Sequence, residues 1–343
     1  MKNVPRANPE YYRLYAHLGS PYSMKVRAVL RYRRIPHLMM SRMHEWQQAF
    51  SKVRVPVMPV LEYPDGSFHN DSTPLILDLE NRHPDRSIIP SLETDAFLSA
   101  LIEDLADEWL SKAMYAYRWA FPEHTEWTGN LIAFDQYFGS GLERIEQAGQ
   151  AFETRQVERN ELVGCTQNNL PMLMHIGDSV LDALEPHVTA QPFLFGSRPS
   201  NADFALFGQI CQFTLDLAAL KPCQERAPYS LRWTHHVHDL SGLEGEWRDR
   251  SEPRSKAVAS LLDLAGQAYL PFLVANHRAI RAESSKVRIE AHGLEYIGTP
   301  FKYQVRCLAE LRRHYANLSD EARDEIDPIL DRHECLGPLR DQD

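Results

Sequence analysis

Apolar positions recur along the chain in two rhythms, and the change between them near residue 90 divides it. Residues 12–17 (YRLYAH) carry the aromatic and aliphatic mix of a short strand. Gly19-Ser20-Pro21 then announces a helix: Ser20 suits the N-cap, and Pro21 suits the first turn, where its missing N–H costs nothing. Val26, Val29 and Leu30 follow at helical spacing and predict a helix over 21–34. After a polar stretch with no clear period, 57–63 (VMPVLEY) is rich in strand formers, and Asp65-Gly66 marks a tight turn into a second short strand near Ser67-Phe68. Ser72-Thr73-Pro74 predicts a capped helix over 73–82 that buries Leu75, Ile76 and Leu79. The order strand–helix–(strand)–strand–turn–strand–helix is a small α/β unit closing by about residue 85.

His83 to Pro90, with two prolines, reads as a linker. From Glu93 the period is helical: Phe97, Leu101, Leu105 and Trp109 share one stripe of a helix over 93–119. Further helices are expected over 129–147, 169–185, 203–220 and 255–280. KVRIE (286–290) and LEYIG (294–298) alternate about His292-Gly293 and predict a lone hairpin. Helices 301–316 and 320–332 close the chain. Three units result: 10–85 (α/β), 92–250 (all-helical) and a mainly helical extension, 251–343.

Composition excludes more than it assigns. A net charge of −10 argues against nucleic acid, since phosphate neutralisation needs clustered cations. The densest basic stretch, Lys25 to Arg34, reads as the polar face of a helix. No uninterrupted apolar run approaches about 18 residues, so no membrane partner is expected, and Met1 to Pro5 lacks a signal-like apolar core. Five scattered cysteines without C-x-x-C spacing suit reduced thiols in a cytoplasmic protein. His235, His236 and His238 form no recognised ligand pattern and read as solvated, so no metal is expected.

Three segments, taken together, resemble one family. SPYSMKVRAVL (20–30) is similar to the opening of the first helix of serine- and omega-like glutathione transferases. MPVLEYPDG followed by Asp71-Ser72 resembles their cis-proline strand, turn and acidic-Ser pair. FLFGSRPSNADFALF (193–207) resembles their second-domain signature, in which Ser200-x-x-Asp203 caps a buried helix. The resemblance covers roughly 12–220 and implies a thioredoxin-like glutathione-binding unit before a larger all-α domain. The residues after about 250 are an extension beyond it, which packs on the helical domain, caps the site or covers the surface used for dimerisation.

What the resemblance implies is physically coherent. Catalysis would consist of holding a tripeptide thiol as a thiolate, which needs roughly 3 kcal/mol of preferential anion stabilisation for a shift of about two pKa units. Ser20 is the expected thiolate stabiliser, with Tyr15, Tyr22 and Ser23 as competing hydroxyls. Tyr22, Met58, Pro59, Asp71 and Ser72 would bind glutathione: the Met58-Pro59 backbone the cysteinyl part, Asp71 the γ-glutamyl ammonium, Ser72 and the helix behind it the carboxylate. Pro56 is the rival cis-proline. Serine-type members often carry a lysine before the residue matching Met58; here that position is Val57, leaving Lys52 or Arg54 as substitutes. Glu108, Met114, Tyr115 and Arg118 are expected to line a pocket for a small hydrophobic electrophile. The implied function is glutathione conjugation, with a homodimer as the family habit. A non-catalytic scaffold or ligand carrier is the alternative, and a glutathione-dependent lyase, dehalogenase or isomerase a third.

Overall fold

The computed structural model describes residues 11–341. Residue 10, the Met1–Pro5 segment and the last two residues of the extension lie outside the described residues. The first unit consists of β1 (Tyr12–Tyr15), α1 (Pro21–Tyr32), β2 (His37–Met40), α2 (Met43–Phe50), β3 (Val60–Glu62), β4 (Phe68–Asn70) and α3 (Ser72–Arg82). Its sheet has the order β2-β1-β3-β4, with β2 parallel to β1 and the other pairs antiparallel. Strand alternation assigns the two faces. Tyr12 and Leu14 enter the main core with α1 and α3, while Tyr15 and Val60 point the other way and form a small second core with Trp46 and Ala49 of α2. The undecided polar stretch therefore holds β2 and α2.

The second unit contains α4 (Glu93–Leu105), a π-helical turn (Ala106–Leu110), α5 (Ser111–Trp119), α6 (Pro122–Gln136), α7 (Leu142–Val157), α8 (Asn160–Val163), α9 (Leu170–Val188), α10 (Asn201–Phe213), α11 (Leu217–Arg226) and α12 (Pro228–Val237). Two expected helices are corrected. The span 129–147 breaks between α6 and α7, where Gly139 and Gly141 adopt φ of 79° and 91°. The span 203–220 breaks at Asp216, which precedes α11 and gives its carboxylate to Arg118 and Thr128. The helix expected over 93–119 forms without a break, widened at Ala106–Leu110 by the π turn. Every residue of α10 is buried, and its Ser200/Asp203 capping box forms as expected: Asp203 Oδ2 accepts from the Ser200 N–H at 2.8 Å.

The extension comprises α13 (Lys256–Leu264), a second π turn (Ala265–Tyr269), α14 (Leu270–Arg281), the antiparallel hairpin β5 (Val287–Ala291) and β6 (Leu294–Gly298), α15 (Lys302–Ala316), α16 (Asp320–Arg332) and α17 (Leu336–Arg340). The run Lys256–Arg281 is long and apolar enough, by length and composition, to cross a membrane. Its apolarity is instead used within the protein: α13 packs on α9, and α14 on α15 and β5. α15 and α16 both pack on α4. Buried Asp95 of α4 fastens the entry to the extension by pairing with Arg248 at 2.6 Å and Arg254 at 2.7 Å. All five cysteines are buried and free.

Candidate functional site

Three chain features converge at one end of the sheet: the N-terminus of α1, the turn before β3 and the N-terminus of α3. Ser20 caps α1, its Oγ accepting from the Ser23 N–H at 3.2 Å, while its own O–H has no acceptor among the described residues. It is 7% exposed. The loop before it is held from behind. Arg118 donates from Nη1 to the Gly19 carbonyl at 2.7 Å, and Gln212 donates to the Leu18 carbonyl at 3.1 Å. Arg118 is itself clamped by Asp216 at 3.1 Å and by Gln212 at 2.9 Å. Gly19 is required by proximity, because a Cβ there would lie 2.8 Å from Ile132 of α6. The Gly19 amide also bonds Asp135, whose carboxyl burial pushes up to about 6.

The competing hydroxyls are committed elsewhere or enclosed. Tyr15 donates to Glu62 at 2.7 Å, and Tyr22 donates to the Asp107 carbonyl at 2.8 Å. Ser23 is fully buried. His17, whose carbonyl accepts from the Ser20 N–H, stacks on Trp46 with centroids 5.4 Å apart. Burial, aided by Arg118, pushes His17 down to about 3, so it is neutral near pH 7.

Met58-Pro59 is the one cis peptide among the described residues. The Met58 side chain packs on the small second core, yet neither its N–H nor its C=O has a hydrogen-bond partner among the described residues. Asn70 ties down the approach to it, donating to the Val55 carbonyl at 2.6 Å. Asp71 precedes α3 with φ of 77°, a conformation that strains a residue bearing a Cβ. The cap expected at Ser72 therefore falls one residue earlier, and Ser72 is the first helical residue, buried, with its Oγ 3.5 Å from Asp107 Oδ2.

Behind this face lies a cluster that the chain pattern did not disclose. Lys25, expected on a polar helix face, is 1% exposed and contacts Glu103 at 2.5 Å and Asp107 at 2.6 Å. Burial alone would lower its pKa, but the two carboxylates outweigh that and hold the ammonium charged above its usual range. Burial pushes Asp107 up to about 6 despite Lys25, and Asp104 up to about 7. Glu108 is raised well above the usual carboxylate range, first by burial and then by Asp104 and Asp107. The π turn places Asp107 and Glu108 here.

The extension reaches the same place. Tyr303 of α15 donates to Asp71 Oδ2 at 2.9 Å, and Gln304 donates to Glu108 at 3.4 Å. Burial raises Asp71, opposed by the Tyr303 hydrogen bond. Of the residues expected to line an electrophile pocket, Glu108 thus faces α15. Met114 is buried in the core, Tyr115 donates to the Gln156 carbonyl at 2.8 Å, and Arg118 supports the Ser20 loop. Neither Lys25 nor Tyr303 carried a local signal: their partners lie 78, 82 and 232 residues away.

Residues 14–87 match the family described as glutathione S-transferase, N-terminal domain. No curated protein matches the chain. Among solved structures, the β-etherase LigF from Sphingobium sp. strain SYK-6 is 18% identical, with 74% of this chain and 98% of that one covered and a TM-score of 0.48. A Methylobacterium radiotolerans glutathione S-transferase, in complex with glutathione sulfonate, is 17% identical over 71% of this chain and 99% of its own, with a TM-score of 0.43. One from Methylobacillus flagellatus with glutathione bound is 19% identical, covering 65% and 93%, with a TM-score of 0.41.

Proposed function

We propose that the face built from Ser20, Met58-Pro59 and Asp71-Ser72 binds glutathione, and that the chain is a glutathione transferase acting on a small hydrophobic electrophile. The observation that carries this reading is the unpaired Met58 backbone. An N–H and a C=O with no partner among the described residues suit the two-way pairing that an extended peptide makes with a strand edge. Ser20 stands at the positive end of α1 with a proton to donate, so it would favour the anion of a sulfur placed there. The α3 N-terminus and Ser72 would take the γ-glutamyl carboxylate, and Asp71 the ammonium. In the reaction the thiol loses its proton to solvent, the sulfur forms a bond to the electrophilic carbon, and the leaving group departs with the electron pair of the broken bond. The family match over residues 14–87 supports the glutathione half of this reading.

A second reading, a non-catalytic scaffold or ligand carrier, is favoured by one contact: Tyr303 already donates to Asp71 Oδ2. A glutathione ammonium would have to share Asp71 through Oδ1 or displace the tyrosine. Calorimetry of the full chain with reduced glutathione, followed by turnover of an activated aryl chloride, separates the readings. Binding with thioether formation and chloride release is the expected result. Binding without turnover leaves the carrier, and no heat at millimolar glutathione ends the glutathione assignment. The units proposed for the chain remain 10–85, 92–250 and 251–343.

A further inference from the structure

A cavity of about 640 Å³ lies between α3, α4 and α15, bounded on one side by Tyr303. Its volume is within the range of small-molecule sites. The walls are mainly apolar: Leu77, Ile89, Phe97, Ala100, Leu311 and Leu318. Three carboxylates of α4 also line it: Glu93, which is taken by Ser319, and Glu103 and Asp104. Glu103 is 5% exposed, and its Oε1 accepts from Lys25 and Thr73, each at 2.5 Å. Its Oε2 has no hydrogen-bond partner among the described residues. Asp104 accepts from the Tyr269 hydroxyl through Oδ2 at 2.6 Å, and the Cys307 thiol also hydrogen-bonds its carboxylate.

The charge of the surroundings selects the ligand. Along this stretch of α4 and the π turn stand Glu103, Asp104, Asp107 and Glu108; Lys25 pairs with Glu103 and Asp107, and Lys112 acts on Glu108. Arg306 and His314 of α15 also line the cavity, with Glu310 of the same helix close to both. Glu93, Glu103, Asp104 and Glu310 outnumber Arg306 among the charged lining residues, so the cavity favours a cation over an anion or an uncharged molecule. Burial first, and then the neighbouring Glu103 and Asp107, push Asp104 up to about 7.

We infer that this cavity is a binding site for an amphipathic primary amine, whose ammonium donates to Glu103 and Asp104 while its apolar body fills the space between α3, α4 and α15. The site is independent of the glutathione reading and of Ser20. As with any buried charge, the ammonium is tolerated because carboxylates and hydrogen bonds replace its water.

The test uses the full chain and three probes of one length: n-octylamine, octanoate and 1-octanol, titrated by calorimetry at pH 8. Octylamine is expected to bind at least about tenfold more tightly than either of the others. It should weaken between pH 8 and pH 6, as Asp104 takes up a proton. Asp104→Asn, which keeps an acceptor for Tyr269, should weaken octylamine about tenfold and leave octanol unchanged. Ala100→Phe should abolish octylamine binding by filling the cavity. Circular dichroism and glutathione titration of both variants are the controls, and both should match the parent. Octanoate or octanol binding as tightly as octylamine, no octylamine binding at millimolar concentration, or binding unaffected by Ala100→Phe overturns the inference. A chain that binds octylamine and not glutathione refutes the proposed function alone.

Discussion

Replacing Ser20 separates two roles that one side chain combines. As the α1 cap it satisfies the Ser23 N–H, and loss of such a cap costs about 1 kcal/mol for alanine but only a few tenths for glycine. As donor to a bound thiolate it would contribute about 1.5–3 kcal/mol to the anion, or roughly one to two units of thiol pKa. Ser20→Ala and Ser20→Gly should therefore differ in stability and agree in chemistry. Urea unfolding should place the alanine variant about 0.5–1 kcal/mol below the glycine variant. Ultraviolet titration of the bound thiolate should show the same upward shift in both. Turnover should fall by about 10- to 100-fold at pH values below the thiol pKa and recover towards the parent as the solution becomes alkaline, because hydroxide then does what the serine did. Were the thiol pKa unchanged in both variants while alanine still lost stability, Ser20 would be a helix cap and nothing more.

Three further outcomes follow from the buried charges. Lys25→Met strands Glu103 and Asp107 and should destabilise the fold by about 3–5 kcal/mol at pH 8. The deficit should shrink below pH 6, where Asp107 protonates; a deficit independent of pH would contradict the pairing. Tyr303→Phe frees Asp71 Oδ2 and should tighten glutathione by about fivefold, the value of one hydrogen bond; weaker binding in calorimetry would make the tyrosine a ligand contact instead. Asp104 has its pKa raised by folding, from 3.8 to about 7, so between about pH 4 and pH 7 the native state holds more of its proton than the unfolded chain does. Its contribution is full below pH 4 and is lost as pH rises through 7, by at most about 4 kcal/mol. Asp104→Asn should flatten that limb of the stability profile, and an unchanged slope in urea titrations at several pH values would refute it.

The amino-acid order alone determined whatever rests on neighbours. Ser20-Pro21 and Ser200-x-x-Asp203 cap their helices because a cap spans three residues. Asp65-Gly66 turns the chain between β3 and β4, and the hairpin about His292-Gly293 forms because alternation and turn chemistry agree there. Other features depended on the packed whole. The strand His37–Met40 has no alternation of its own and exists because β1 offers it an edge. α11 begins where it does because Asp216 is claimed by Arg118, 98 residues away. Lys25 looks like any surface lysine until α4 brings two carboxylates against it. Asp71 and Tyr303 meet only because α15 returns across α4. Local order encodes hydrogen bonds that close within a turn, whereas burial, and with it the charge state of a side chain, is a property of everything that surrounds it.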